Sequence, residues 1–316
     1  MPALFRTGRS LAAALLFGIT VAGWCGAWHW CLDLTSHFRA YWLVASFVGL
    51  VLCLHAPRSF AFACCALALA GNAAAVLPFW LPTRTAAAPG ANTRPLSLVS
   101  VNLLRRNADT SRAVDYLRER KPDVAVLVEI DAEWLESLAS LAELYPFRVV
   151  EPREDNFGIA VLSRWPLADG RVFECGGTPY PNIMATVRFH DREVRLFATH
   201  PHPPFDAALT DALTGQLRTL ADEAAAARGP RIVAGDFNAT PWSLPYRVFT
   251  ARSGLRDTAL GHGAQPTWNA RHPAPRIPID QVFASTDLVV QSRAVGPDIG
   301  SDHLPVEVTF LLPTGD

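Results

Sequence analysis

The chain has 316 residues, is half hydrophobic and carries a formal net charge of −1, but neither property is evenly spread. Residues 1–89 hold five basic residues and one acid, leaving 23 basic and 28 acidic residues and a net charge of −5 for the rest. That excludes a uniformly soluble chain and works against a broadly basic nucleic-acid-binding surface; it splits the protein into an apolar front and one ordinary globular domain.

Three apolar runs come first. Leu11 to Leu32 lacks charge, Phe38 to Ala56 is interrupted by Arg39, and Phe60 to Leu81 contains one amide, Asn72. A bilayer crossing takes about 20 such residues. Trp28, Trp30, Tyr41, Trp42 and Trp80 stand near the ends, where interfacial aromatics belong. A buried helical hairpin is the bland alternative, and a cleaved signal peptide explains only the first run. The expectation is an anchor over 1–82 with three transmembrane helices, about 11–32, 38–56 and 60–81. Arg6, Arg9 and Arg58 then lie on one side, Arg39 and Arg84 on the other. The positive-inside rule predicts a multi-pass inner-membrane protein whose C-terminal domain is extracytoplasmic. Five cysteines (Cys25, Cys31, Cys53, Cys64, Cys65) fall in the runs and Cys175 is alone, so the domain has neither a disulfide framework nor a cysteine metal motif.

Residues 83–95, rich in Pro, Ala and Thr, read as a linker before a domain over 96–316. "LSLVSVN" (96–102) predicts a strand, and Asp109 is the expected cap of a helix through about Arg120. "DVAVLVE" (123–129) predicts a second strand, followed by a helix over about 132–143. Strands are expected over 157–164, 183–189 and 194–200, a helix over about 206–228, and a strand in "RIVAGDF". Segments 277–285, 288–295 and 304–312 complete an α/β pattern with more successive strands than a simple doubly wound sheet.

Several of these strands end on chemically useful side chains: Asn102, Glu129, His200, Asp236 with Asn238, Asp280, and Asp302 with His303 just before the last strand. Each has a bland reading alone. Asn102 can begin a turn, Glu129 can cap the next helix, His200 can be a loop residue, and Asp280 a strand-edge charge. Gathered at sheet ends they predict a crevice site. Carboxylates with an amide suit a hard divalent cation, and an Asp–His pair suits activation of water. There is no serine elbow, no HExxH and no glycine-rich phosphate loop. Metal-assisted attack of water on a phosphate ester fits this inventory best.

The order Asn102, "VE" (128–129), "GIAVLSRWP" (158–166), "ATH" (198–200), "GDFN" (235–238), "PIDQVF" (278–283) and "GSDHLPV" (300–306) resembles the endonuclease/exonuclease/phosphatase superfamily over essentially all of 96–312. "THPHPP" and "GDFNATPWS" behind apolar runs resemble a membrane-anchored bacterial subgroup of it. The resemblance implies a four-layer α/β sandwich, two mixed sheets flanked by helices. It implies Mg²⁺ (or Mn²⁺) held by Glu129 with Asn102 and Asp302, with catalysis by Asp236, His303, His200 and Asp280. Asn238 and Asn102 are implied to bind substrate. Asp236 or His303 would act as base, His303 pairing with Asp280, while His200 stabilises phosphate or assists the leaving group. Where family members often have Gln before the metal Glu, this chain has Val128, and Asn156 reads as a turn residue near substrate contacts. The expected substrate is a phosphodiester or phosphomonoester, lipid-linked in view of the anchor or a nucleic acid, with no obligate protein partner. A non-catalytic phosphate-binding domain is the alternative outside enzymes. The loops "THPHPP" and "NARHPAPRIP" (269–278) are expected to set substrate choice.

Overall fold

A computed structural model describes residues 2–82, 92–272 and 274–314, so most of the expected linker, 83–91, and Arg84 with it, lies outside the described residues. The front of the chain is helical: α1 (Pro2–Trp24), α2 (Trp30–Leu34), α3 (Arg39–Cys53) and α4 (Phe60–Val76). Two stretches, Trp30–Cys53 and Phe60–Phe79, are long and apolar enough to cross a membrane. The run expected as one helix over 11–32 is broken instead. The helix stops at Trp24 and the chain turns through Cys25–His29, where a Cβ on Gly26 would overlap the Asp33 side chain. Small residues (Ala13, Ala61, Cys64, Cys65) let the helices approach closely. The polar interruptions satisfy one another: Arg39 donates to Asn72 Oδ1 (3.3 Å), Asn72 donates to Thr20 Oγ1 (2.9 Å), and the guanidinium lies 4.4 Å from the Trp24 ring centroid.

The remainder forms two six-stranded mixed sheets. One runs β11 (Val289–Val295), β12 (Val306–Pro313), β1 (Thr93–Asn102), β2 (Val124–Val128), β4 (Ile159–Ser163), β3 (Phe147–Glu151). The other runs β5 (Leu167–Glu174), β6 (Pro181–Phe189), β7 (Arg192–Thr199), β8 (Arg231–Asp236), β10 (Asp280–Ala284), β9 (Arg256–Asp257). Alternation along the strands builds the layers. Leu96 and Leu98 of β1 join Val126, Leu196, Ile232 and Phe310 between the sheets, whereas Val99 and Val101 face outward. That outer face is covered by α5 (Ser111–Arg120) and α6 (Ala132–Leu138); α7 (Ala207–Ala226) and α8 (Leu244–Ser253) cover the outer face of the second sheet over Phe197, Val233 and Phe283. The expected helix–sheet–sheet–helix sandwich is therefore the observed fold.

Three local expectations are corrected. Asp109 is not the cap of α5: the N-cap is Thr110, and the Asp109 carboxylate accepts from Ser111 Oγ (2.5 Å). Strands β3 and β5 had no sequence signal because both lie at sheet edges and bury little of their surface. Helix α8 was also unread, beginning at Leu244–Pro245 immediately after the "GDFNATPWS" turn.

The topology places the polar residues. Pairs β1/β2 and β7/β8 are parallel, each with its crossover helix outside, so their C-terminal ends share one end of the sandwich. Strands β10 and β12 run antiparallel to β8 and β1, so their N-terminal ends arrive there as well, with Asp280 opposite Asp236 and Val306 opposite Ser100.

Candidate active site

Asn102 ends β1, Glu129 follows β2, His200 follows β7, Asp236 ends β8, Asp280 begins β10, and Asp302–His303 precede β12. All seven border one polar centre under a cavity of about 630 Å³ or hydrogen-bond to residues that do. Asn102, His200, Asp236, Asp280 and His303 are buried.

Asp236 Oδ2 is the hub. It accepts from Asn102 Nδ2 (3.1 Å) and lies 3.6 Å from His200 Nε2 and 3.7 Å from His303 Nε2. Its other oxygen accepts from the Asn238 N–H (2.9 Å), a short-range bond that needs the left-handed backbone of Asn238 (φ 48°). The Asn238 carboxamide faces the cavity and donates to Pro201 O (2.9 Å). Gly235 sits at φ 148°, and a Cβ there would overlap the Thr199 carbonyl oxygen of the neighbouring strand. The "GDFN" sequence is thus both a turn and a site.

Glu129 also has a left-handed backbone (φ 61°), unusual away from glycine and typical of functional positions. Its oxygens accept from Asn102 Nδ2 (2.8 Å) and the Arg105 N–H (3.1 Å). The helix after it is capped by Asp131, through Trp134 N (3.0 Å), which removes the capping explanation for Glu129. Asn102 donates to both carboxylates, while its Oδ1 accepts from Leu104 N (2.9 Å). A flipped amide would repel all three neighbours. The carboxamide oxygen accepts one backbone bond, which orients the amide so that its Nδ2 spaces Glu129 from Asp236.

His303 Nδ1 pairs with Asp280 Oδ2 at 2.9 Å, which turns Nε2 toward Asp236. Burial opposes charge on His303, but the carboxylates of Asp280 and Asp236 outweigh it and raise the imidazole to about 10. His200 goes the other way, lowered by burial despite Asp236, so the same carboxylate faces two imidazoles shifted in opposite directions. Burial raises Asp236 and Glu129; for Glu129 the Asn102 and Arg105 hydrogen bonds act in the opposite direction. Asp302 is held by Trp268 Nε1 (3.1 Å).

The donor chemistry fits a divalent cation. Four carboxylates (Glu129, Asp236, Asp280, Asp302) meet two imidazoles, and among the described residues no arginine or lysine is ion-paired to any of them. Asp236, Asp280 and His303 bring ligand-type atoms within 4.8 Å of one another, but their mutual bonding is that of a proton-handling group. Glu129 and Asp302, hard oxygen donors on the cavity wall, are the remaining pair suited to a metal.

Sequence reading missed four contributions. Ser301 accepts from His303 N (3.0 Å) and donates to Asn102 O (2.7 Å), tying the loop before β12 to the end of the neighbouring strand β1; it stands within "GSDH" but its chemistry is not distinctive. Phe157 stacks on Tyr180 at 4.0 Å and packs on His200, forming an aromatic wall. Asn156, read as a turn residue, lines the cavity and accepts from Arg105 Nε (3.2 Å). Leu34, His37 and Phe38 reach the same cavity from the N-terminal helical segment. Val128, where Gln was expected, packs between the sheets.

This geometry, with mixed sheets converging on an Asn–Glu–His–Asp–Asp–His centre, defines a phosphoester-processing sandwich as a class. The Endonuclease/Exonuclease/phosphatase family matches residues 99–303, and the chain belongs to that family. An endonuclease/exonuclease/phosphatase from Beutenbergia cavernae is 27% identical, with a TM-score of 0.58 covering 70% of this chain and 72% of that one. Danio rerio TDP2 complexed with single-strand DNA product is 21% identical (TM-score 0.59; 68% and 98% covered), and the human Nocturnin catalytic domain with bound sulfate is 19% identical (TM-score 0.57; 70% and 96% covered). The last two share the fold alone. No curated protein matches the chain.

Proposed function

We propose that this protein is a membrane-anchored, metal-dependent phosphoesterase that hydrolyses a phosphate ester with an activated water. The observation that carries the chemistry is the convergence of Asp236 on two imidazoles beside an uncompensated pair of carboxylates, Glu129 and Asp302. Those two residues would hold Mg²⁺ or Mn²⁺, which supplies polarisation of the phosphate and of a water. Asp236 orients that water and takes its proton. The Asp280–His303 pair fixes the His303 tautomer and faces Nε2 to the phosphate, and Asn238 and His200 bracket the phosphate from the other side.

Anchoring is supported by where apolar surface is exposed. Among the described residues, all the exposed large hydrophobics except Phe147, Val172 and Phe205 lie between Leu11 and Leu81. That placement favours a lipid-linked substrate. A nuclease reading has the single-strand DNA complex of a fold relative behind it. It is disfavoured by the domain's net charge and by Arg276, whose guanidinium is spent on the carbonyls of Asn269, Ala270 and His272. A non-catalytic phosphate-binding role is disfavoured because every reacting group is present and converged.

The deciding experiment offers the detergent-purified full chain phospholipid, nucleotide and DNA esters with Mg²⁺ or Mn²⁺, then EDTA. Hydrolysis of the lipid ester that EDTA stops is expected. Turnover of DNA alone would install the nuclease, and EDTA-insensitive turnover would remove the metal.

A further inference from the structure

The cavity over the catalytic centre does not close within the sandwich. It is also lined by Leu34, His37 and Phe38, on the segment from the end of α2 to the start of α3. That segment and α4 are held against the domain. Asp33 Oδ1 accepts from Leu244 N (2.8 Å), Tyr41 OH donates to Arg276 O (2.9 Å) and accepts from Arg276 N (2.6 Å), and Trp242 Nε1 donates to Ala75 O (3.1 Å). Phe205, 73% exposed, lines the same cavity immediately after "THPHPP". His37 is 6% exposed, lines the cavity, and has no hydrogen-bond or ion-pair partner among the described residues. Its ring nitrogens are not among the buried side-chain atoms left without a partner, so they open onto the cavity and can bond what fills it.

Resting on the phosphoesterase reading, we propose that the α2–α3 segment is part of the active site and selects an amphiphilic phosphoester. Leu34, Phe38 and Phe205 seat the apolar chain, and His37 hydrogen-bonds a hydroxyl or ester group between chain and phosphate. The cavity joins the polar centre to the segment carrying nearly all the exposed apolar surface, so such a substrate reaches the centre with its chain still covered. A phosphodiester without a chain leaves these side chains unused.

The test uses the full chain in phosphatidylcholine nanodiscs with Mg²⁺ or Mn²⁺ and three chromogenic diesters, p-nitrophenyl methyl, dodecyl and 2-hydroxydodecyl phosphate. Wild type should favour dodecyl over methyl by about tenfold or more in kcat/KM, mainly through KM. Phe38→Ala and Leu34→Ala should bring that ratio within about threefold of unity, while Phe38→Leu, which keeps the apolar volume, retains it. Preference for the hydroxylated over the plain dodecyl ester should vanish in His37→Ala and be partly rescued in His37→Gln. No chain preference in wild type, or ratios unmoved by these variants, would overturn the proposal. If no diester is turned over, the phosphoesterase reading fails on its own. The cavity is then judged by binding of dodecyl against methyl phosphate, read by tryptophan fluorescence: the same preference and the same losses support it, and equal binding overturns it.

Discussion

Asp236 collects three neighbours on one buried oxygen, and among the described residues no arginine or lysine is paired with that carboxylate or with Glu129 and Asp280 around it. Such crowding holds function at the expense of stability. Asp236→Asn and His303→Asn should each lower kcat by roughly 10³-fold, because the groups act as a unit. Asp236→Asn should at the same time leave the thermal midpoint unchanged or raise it by the equivalent of about 1 kcal/mol, read by fluorescence. A parallel loss of activity and folding would assign Asp236 to structure alone. Gly235 is the opposite case. Its backbone region and the closeness of Thr199 O admit no side chain, so Gly235→Ala should destabilise by about 3 kcal/mol in urea unfolding. Mg²⁺ or Mn²⁺ should raise the thermal midpoint by the equivalent of about 1–3 kcal/mol at saturating concentration, and Glu129→Gln should abolish that shift.

At the scale of elements, α8 begins without help from its own N-cap: Ser243 makes no capping bond to the helix, and the carboxylate of Asp33 reaches Leu244 N from a different segment. A negative group at a helix N-terminus satisfies an otherwise open donor. Asp33→Ala should cost about 1–2 kcal/mol. It should also speed hydrogen–deuterium exchange at Leu244 and its neighbours while sparing α7, whose own cap Asp206 bonds Leu209 N (2.8 Å). Legibility differed among the elements for related reasons. Central strands such as β2 and β8 announced themselves as apolar runs because both their faces are buried. The edge strands β3 and β5 carry mostly exposed or half-buried residues, so nothing in their composition separates them from loop. The first apolar run misled because composition reports burial or lipid exposure along a run, not the turn that Gly26 permits within it.

At the scale of the whole molecule, the "PW" after "GDFNAT" becomes intelligible. Trp242 packs edge-on to Phe79 (6.2 Å between centroids) within a cluster of Val76, Ala259 and Ala264. It docks the helical segment against the turn that carries Asp236 and Asn238. Trp242→Ala removes this contact and should weaken that docking by about 3–5 kcal/mol. The expected sign is faster proteolysis at the helical–domain junction of the full chain in detergent, with the sandwich itself still resistant. Unchanged proteolysis would mean that the two parts are held by the Asp33 and Tyr41 bonds without Trp242.

What the sequence determined by itself was the family, the sandwich and the identity of the polar centre, since strand-end residues in a fixed order are one-dimensional information. Asn102, Glu129, His200 and Asp236 could be named from it because parallel strands bring their C-terminal ends to one side, and Asp280 and His303 because their motifs resemble those of the family. Only the tertiary structure decided what each does there. The bond from Leu104 N oriented the Asn102 amide between the two carboxylates, Asp131 took the cap of the helix after Glu129, and His303 took Asp280 as its partner. It alone brought Leu34, His37 and Phe38 to the cavity. Those three residues lie about 200 positions from the "GDFN" turn, and an apolar stretch reads the same whether it faces lipid, core or substrate.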